Sequence, residues 1–172
     1  MEDAMEVISK QRNSRMCIIC GLDNEYGVRA PFYNMEDGSV MTIFQYLPQH
    51  QSYPGRVHGG LVTAMLDEMG LRSLWAKNRS EDIFGVTLSL DTKYRKPVPY
   101  STDLLGRGMI IKESSKFFIT EARIMDLDGN VLASGNIKYI KMPAETIAEN
   151  CDTHEEMPYL MEDDRREFKI NG

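Results

Sequence analysis

A chain of 172 residues with 42% hydrophobic and 27% charged residues has the size and balance of one domain with a real core. No apolar run reaches the length of a membrane span, and the acidic, polar start MEDAMEVISKQ is unlike a signal peptide, so a cytoplasmic location is the default expectation. The net charge of -6 belongs to the tail: residues 143–172 hold nine acids and three bases, and the first 142 residues hold seventeen of each.

In chain order, residues 2–15 carry Met5, Val7 and Ile8 among charges and read as a short N-terminal helix. It ends near Cys17-Ile18-Ile19-Cys20-Gly21. That CxxC spacing serves zinc or redox chemistry elsewhere, but a structural zinc needs four ligands and no second CxxC exists. Cys151 and His154, far away in the tail, are the only other candidates, so neither a metal nor a cofactor is expected. No thioredoxin-like strand precedes the pair, which speaks against redox chemistry. Residues 27–34 and 40–47 alternate as two strands joined through Glu36-Asp37-Gly38, and a loop over 48–56 follows.

The stretch 53–76, YPGRVHGGLVTAMLDEMGLRSLWA, organises the rest. After the turn signal at Pro54-Gly55 it becomes a proline-free run that predicts a helix over 59–77. Its apolar residues fall on more than one face, as in a helix wrapped by other structure. Gly60, Thr63, Asp67 and Gly70 recur at steps of three and four, giving one small-residue stripe that is expected to be open to a backbone or ligand. Asp67 is the only charge on it, and an unpaired carboxylate in an apolar helix is costly without a task. Glu68 and Arg72 have the spacing of an ordinary surface ion pair.

Beyond a polar connection at 79–82, residues 84–96 alternate as a long strand stopped by Pro97 and Pro99. Two more strands are predicted over 103–113 and 116–127, and Asp128-Gly129-Asn130 is a hairpin turn into a last strand over 131–141. Strands with short connections around one buried helix predict an α+β fold, a curved antiparallel sheet wrapped around a long central helix. Residues 1–142 form that domain, and 143–172 read as an acidic tail, either an appended helix or partly ordered. Basic residues are too few and scattered for a nucleic-acid surface.

The motif His58-Gly59-Gly60, with Asp67 nine residues after the histidine, resembles the hotdog-fold acyl-CoA thioesterases of the phenylacetate-degradation type. The resemblance covers about 17–142, and family members carry a similar CxxCG segment before the first strand. It implies hydrolysis of an acyl-CoA, with active sites at the interface of a homodimer or of a homotetramer built from dimers. The helix rise of about 1.5 Å per residue separates Gly59 from Asp67 by roughly 12 Å, so one subunit does not readily bring both to one carbonyl. Gly59 or Gly60 would offer a free amide to the thioester oxygen, and Asp67 of a second chain would act as general base or nucleophile. His58 would orient the loop or the thioester. Thr87 aligns with the family's water-positioning serine or threonine. Gln51 and Ser52 lie near the place of a polar residue that some relatives have upstream of the motif. Lys93, Arg95 and Lys96 lie near where the family holds coenzyme A phosphates. A hotdog dehydratase or hydratase of 3-hydroxyacyl thioesters and a non-catalytic acyl-CoA-binding regulator are the alternatives.

Overall fold

The computed structural model describes residues 2–148 and 152–171. In chain order the elements are β1 (Glu2–Lys10), β2 (Tyr33–Met35), β3 (Val40–Phe44), α1 (Gly59–Asn78), β4 (Ile83–Tyr94), β5 (Leu104–Glu113), β6 (Phe117–Met125) and β7 (Val131–Pro143). Two single-turn helices, α2 (Ala144–Ile147) and α3 (Thr153–Glu156), precede β8 (Glu167–Asn171). The strands make one antiparallel sheet in the order β4-β7-β6-β5-β3-β2-β1-β8, with α1 against its inner face. This is the α+β hotdog architecture that the pattern predicts.

Period-two alternation divides the strands between two cores. Val40, Phe44, Leu104, Ile124 and Ile137 face α1, while Met41, Leu105 and Met125 join Tyr33 and Phe168 in a smaller cluster. The helix supplies Val62, Met65, Leu66, Met69, Leu74 and Trp75 to the first core, which explains why its apolar residues surround it. Close seating on β5 depends on Gly108, where a Cβ would come within 2.6 Å of the Met69 carbonyl oxygen and 2.8 Å of Ser73 Oγ. His58 caps the start of α1, and Arg79, in the left-handed region at φ 55°, ends it while donating to the Met35 carbonyl at 3.0 Å. Among the described residues no helix is long and apolar enough to cross a membrane.

Three expectations need correction. The predicted N-terminal helix is the strand β1, because Met5 and Val7 alternate toward the second core and two distant partners, β2 and β8, satisfy its backbone. Of the predicted strand 27–34 only the end pairs in the sheet. Arg29 has φ 58°, Pro31 has no N–H, and the Val28 and Ala30 amides bond instead to the Ile18 and Ile19 carbonyls. The acidic tail also ends in the sheet: β8 pairs with β1, and Phe168 is buried edge-on to Tyr33 at 5.3 Å.

Candidate active site

The site starts at the entry to α1. His50 is buried and fixed at both ring nitrogens: Nδ1 accepts the Leu47 N–H at 2.9 Å, and Nε2 donates to the Tyr26 carbonyl at 2.6 Å. Its own carbonyl accepts the His58 N–H, so the loop is pinned just before the helix. His58 then turns its Nδ1 onto the Gly60 N–H at 2.9 Å, and its carbonyl takes the Leu61 and Val62 amides. The Gly59 N–H is left with no partner among the described residues. It is a donor at the positive end of a twenty-residue helix.

A cleft of about 370 Å³ lies at this end of the helix, lined by Ser52, Arg56, Gly59, Tyr94, Arg95 and Lys96 among others. Tyr94 shapes its floor, donating to the Gly59 carbonyl at 2.9 Å and sharing a 2.6 Å hydrogen bond with Thr63 Oγ1. Of the two upstream polar residues, only Ser52 lines the cleft. Gln51 bridges to Val57 and accepts at 3.5 Å from Tyr100. Lys93 lines a different groove, beside Arg123 and Asn136.

Asp67 lies more than two turns further along α1 and faces β4 and β7. Thr87 Oγ1 reaches both carboxylate oxygens, at 2.9 and 3.1 Å, and the Tyr139 hydroxyl lies 3.0 Å from Oδ1 and 2.7 Å from the Asp67 carbonyl. Burial and the neighbouring carboxylate both raise the Tyr139 pKa, so the phenol stays a donor. The expected small-residue stripe is therefore not open along its length. Thr63 bonds to Tyr94, Asp67 to Thr87 and Tyr139, and Gly70 is buried where a Cβ would collide with the Tyr139 hydroxyl. Tyr139 and Tyr94 were not singled out from the sequence, although Tyr139 falls at a core-facing position of a predicted strand.

Glu68 points the other way, and its pairing with Arg72 is not a surface pair. Arg72 is 0% exposed, donates to Glu68 Oε1 at 2.7 Å, bonds to Gln11 Oε1 and the Arg12 carbonyl, and lies 4.2 Å from the Phe32 ring centroid. Burial raises the Glu68 pKa to about 7 despite Arg72, while of the two neighbouring thiols Cys20 is drawn down, by its contact with Cys17 and by Arg72, and Cys17 is pushed up by Cys20, burial and Glu68.

Residues 54–133 match the family model described as the thioesterase superfamily. Acyl-coenzyme A thioesterase THEM4 of Rattus norvegicus is 30% identical over 117 residues, covering 67% of this chain and 47% of that protein. The Mus musculus THEM4 is 26% identical over 142 residues, 81% of this chain and 58% of the relative, so the chain spans about half the length of these relatives. A crystal structure of a thioesterase superfamily protein superposes with a TM-score of 0.66 at 25% identity, covering 73% of this chain and 63% of the other. The E. coli PaaI protein from the phenylacetic acid degradation operon shares the fold at a TM-score of 0.59 and 11% identity, covering 67% and 80%.

Proposed function

We propose that this chain, whose residues 54–133 match the thioesterase superfamily model and whose fold is shared with a thioesterase superfamily protein, hydrolyses an acyl-CoA thioester to the free acid and coenzyme A in a site shared by two copies. The observation that carries the reading is a divided set of groups: an unpartnered Gly59 amide at the start of α1, and a carboxylate clasped by Thr87 and Tyr139 roughly 12 Å further along the axis.

The Gly59 N–H stabilises the oxyanion as the thioester carbonyl is attacked, helped by the helix dipole. Asp67 of the second copy takes a proton from water as that water attacks, or itself attacks the carbonyl carbon. Thr87 and Tyr139 keep the carboxylate in one rotamer. His58 holds the amide geometry as the helix cap. Arg95, Lys96 and Arg56 offer the cleft's positive charge to coenzyme A phosphates.

The arrangement suits pairing through β4. Among the described residues that strand pairs only with β7 and its other edge is open, and Thr87 lies on it next to the exposed Leu88 at the bulge. A second copy added antiparallel there extends the sheet and brings the two α1 helices alongside each other.

Thiol release across short, long and aromatic acyl-CoAs tests the reaction. Asp67→Asn keeps the side chain's size and should lower turnover at least about a hundredfold while acyl-CoA binding survives. An enoyl thioester in place of free thiol, or full activity in Asp67→Asn, would sink the reading.

A further inference from the structure

Across α1 from Asp67, one group of polar side chains has no part in the proposed hydrolysis. Cys17 and Cys20 from the N-terminal loop meet Glu68, with Arg72 behind them. The two Sγ atoms and a Glu68 carboxylate oxygen all lie within 4.8 Å of one another, and Cys17 Sγ is 3.9 Å from Glu68 Oε2. A tetrahedral zinc, with Zn–S of about 2.3 Å and Zn–O of about 2.1 Å, spaces its sulfurs about 3.8 Å apart and sulfur from oxygen about 3.6 Å. We infer that Cys17, Cys20 and Glu68 form a zinc site of two thiolates and one carboxylate, with water in the fourth position.

The loop is shaped for this. The Gly21 N–H closes the turn on the Cys17 carbonyl at 2.8 Å, and the Ile19 N–H points at Cys17 Sγ at 3.4 Å. Cys20 Sγ has the Ser14 hydroxyl at 3.3 Å. Gly21 has no room for a Cβ, which would meet the Cys17 backbone at 2.5 Å.

Glu68 is oriented as a ligand would be. Arg72 occupies Oε1, which leaves Oε2 directed toward Cys17. Charge also closes: two thiolates, one carboxylate and a divalent zinc leave one negative charge, and the buried Arg72 guanidinium balances it. Arg72 cannot easily move away, since Gln11, the Arg12 carbonyl, Phe32 and Trp75 hold it. Two soft sulfur donors select zinc over magnesium or calcium.

The sequence argument against zinc counted only cysteine and histidine. It did not weigh Glu68, which α1 brings beside the pair only through folding. Cys151 lies outside the described residues, as does the His154 side chain, and neither is needed for a three-ligand site. A zinc here clips the 14–21 loop to the turn of α1 next to Asp67.

The test is metal analysis of the full chain purified without chelator from zinc-supplemented medium, together with the reactivity of its thiols. About one zinc per chain is expected, with Cys17 and Cys20 shielded from a thiol reagent until a chelator removes the metal. Cys17→Ser and Cys20→Ser should each lose most of the zinc, and Glu68→Gln should weaken binding by at least roughly ten- to a hundredfold, the cost of losing even an outer-shell partner. Should those variants fold poorly, cobalt replacement in the unaltered chain reads the ligands directly, through a sulfur-to-cobalt charge-transfer band. Three results would each overturn the site: a chain that takes up no zinc, zinc retained in both serine variants, or a cobalt complex without the sulfur band.

Discussion

Gly70 is the residue on which the setting of the proposed base or nucleophile, Asp67, depends most sharply. Asp67 is held by the Tyr139 hydroxyl, and that hydroxyl fits only because Gly70 has no side chain. Gly70→Ala places a methyl against the hydroxyl and 2.6 Å from Thr120 Oγ1. Overpacking of this kind costs about 1–3 kcal/mol, and here it also pushes a hydrogen-bond donor away from Asp67. The variant should therefore melt lower and turn over more slowly. In a Tyr139→Phe background, where the colliding oxygen is gone, the added stability cost of Gly70→Ala should shrink. Equal costs in both backgrounds, from paired denaturation curves, would show that the hydroxyl is not the obstacle. Glu68, by contrast, was misjudged from its i, i+4 spacing. Spacing announces a pair with Arg72 but not its depth, and this arginine is buried because a loop, two rings and Gln11 converge on it.

At the scale of elements, the sequence was legible wherever local chemistry decided the outcome. The central helix runs one residue past its predicted end, and β4, β5, β6 and β7 start and stop within about two residues of their predicted limits, since prolines, glycines and alternation mark them. It was not legible where a distant partner decided. β1 has helix-compatible spacing between Met5 and Ile8, but the partners that make it a strand lie more than twenty residues away in β2 and at the far end of the chain in β8. The tail approaches this strand through Asp163, which pairs with Lys10 at 3.0 Å and accepts from Tyr33 at 2.7 Å. Partial burial opposes ionisation, yet Tyr33, the Arg165 amide and Lys10 outweigh it and hold the carboxyl below its ordinary pKa. A lowered carboxyl stabilises the fold above its unfolded value, about 3.9, and loses that contribution as pH falls through the folded value. The melting-temperature advantage of the unaltered chain over Asp163→Asn should thus be full near neutrality and close in acid. A constant difference down to pH 2 would contradict it.

For the whole molecule, the central claim is that neither copy is catalytically complete. Gly59 and Asp67 are carried by one helix, and β4 is an edge strand of the sheet; in the proposed arrangement the two residues serve different sites and two copies join along that edge. Gly59→Pro is suited to test this because the residue is the first of α1, where proline is tolerated, and His58 before it is already extended at φ -60° and ψ 129°. The substitution removes the N–H and puts the ring Cδ in its place, and by itself should lower turnover by at least about 10²–10³. Asp67→Asn should be similarly impaired. The decisive measurement is thiol release by a dimer made of one Gly59→Pro chain and one Asp67→Asn chain, separated from both parents by distinct affinity tags. With shared sites, one of its two sites carries both defects and the other carries neither, so the mixed dimer should recover roughly half the unaltered activity. A mixed dimer as inactive as its parents would place Gly59 and Asp67 in the same site and contradict the account.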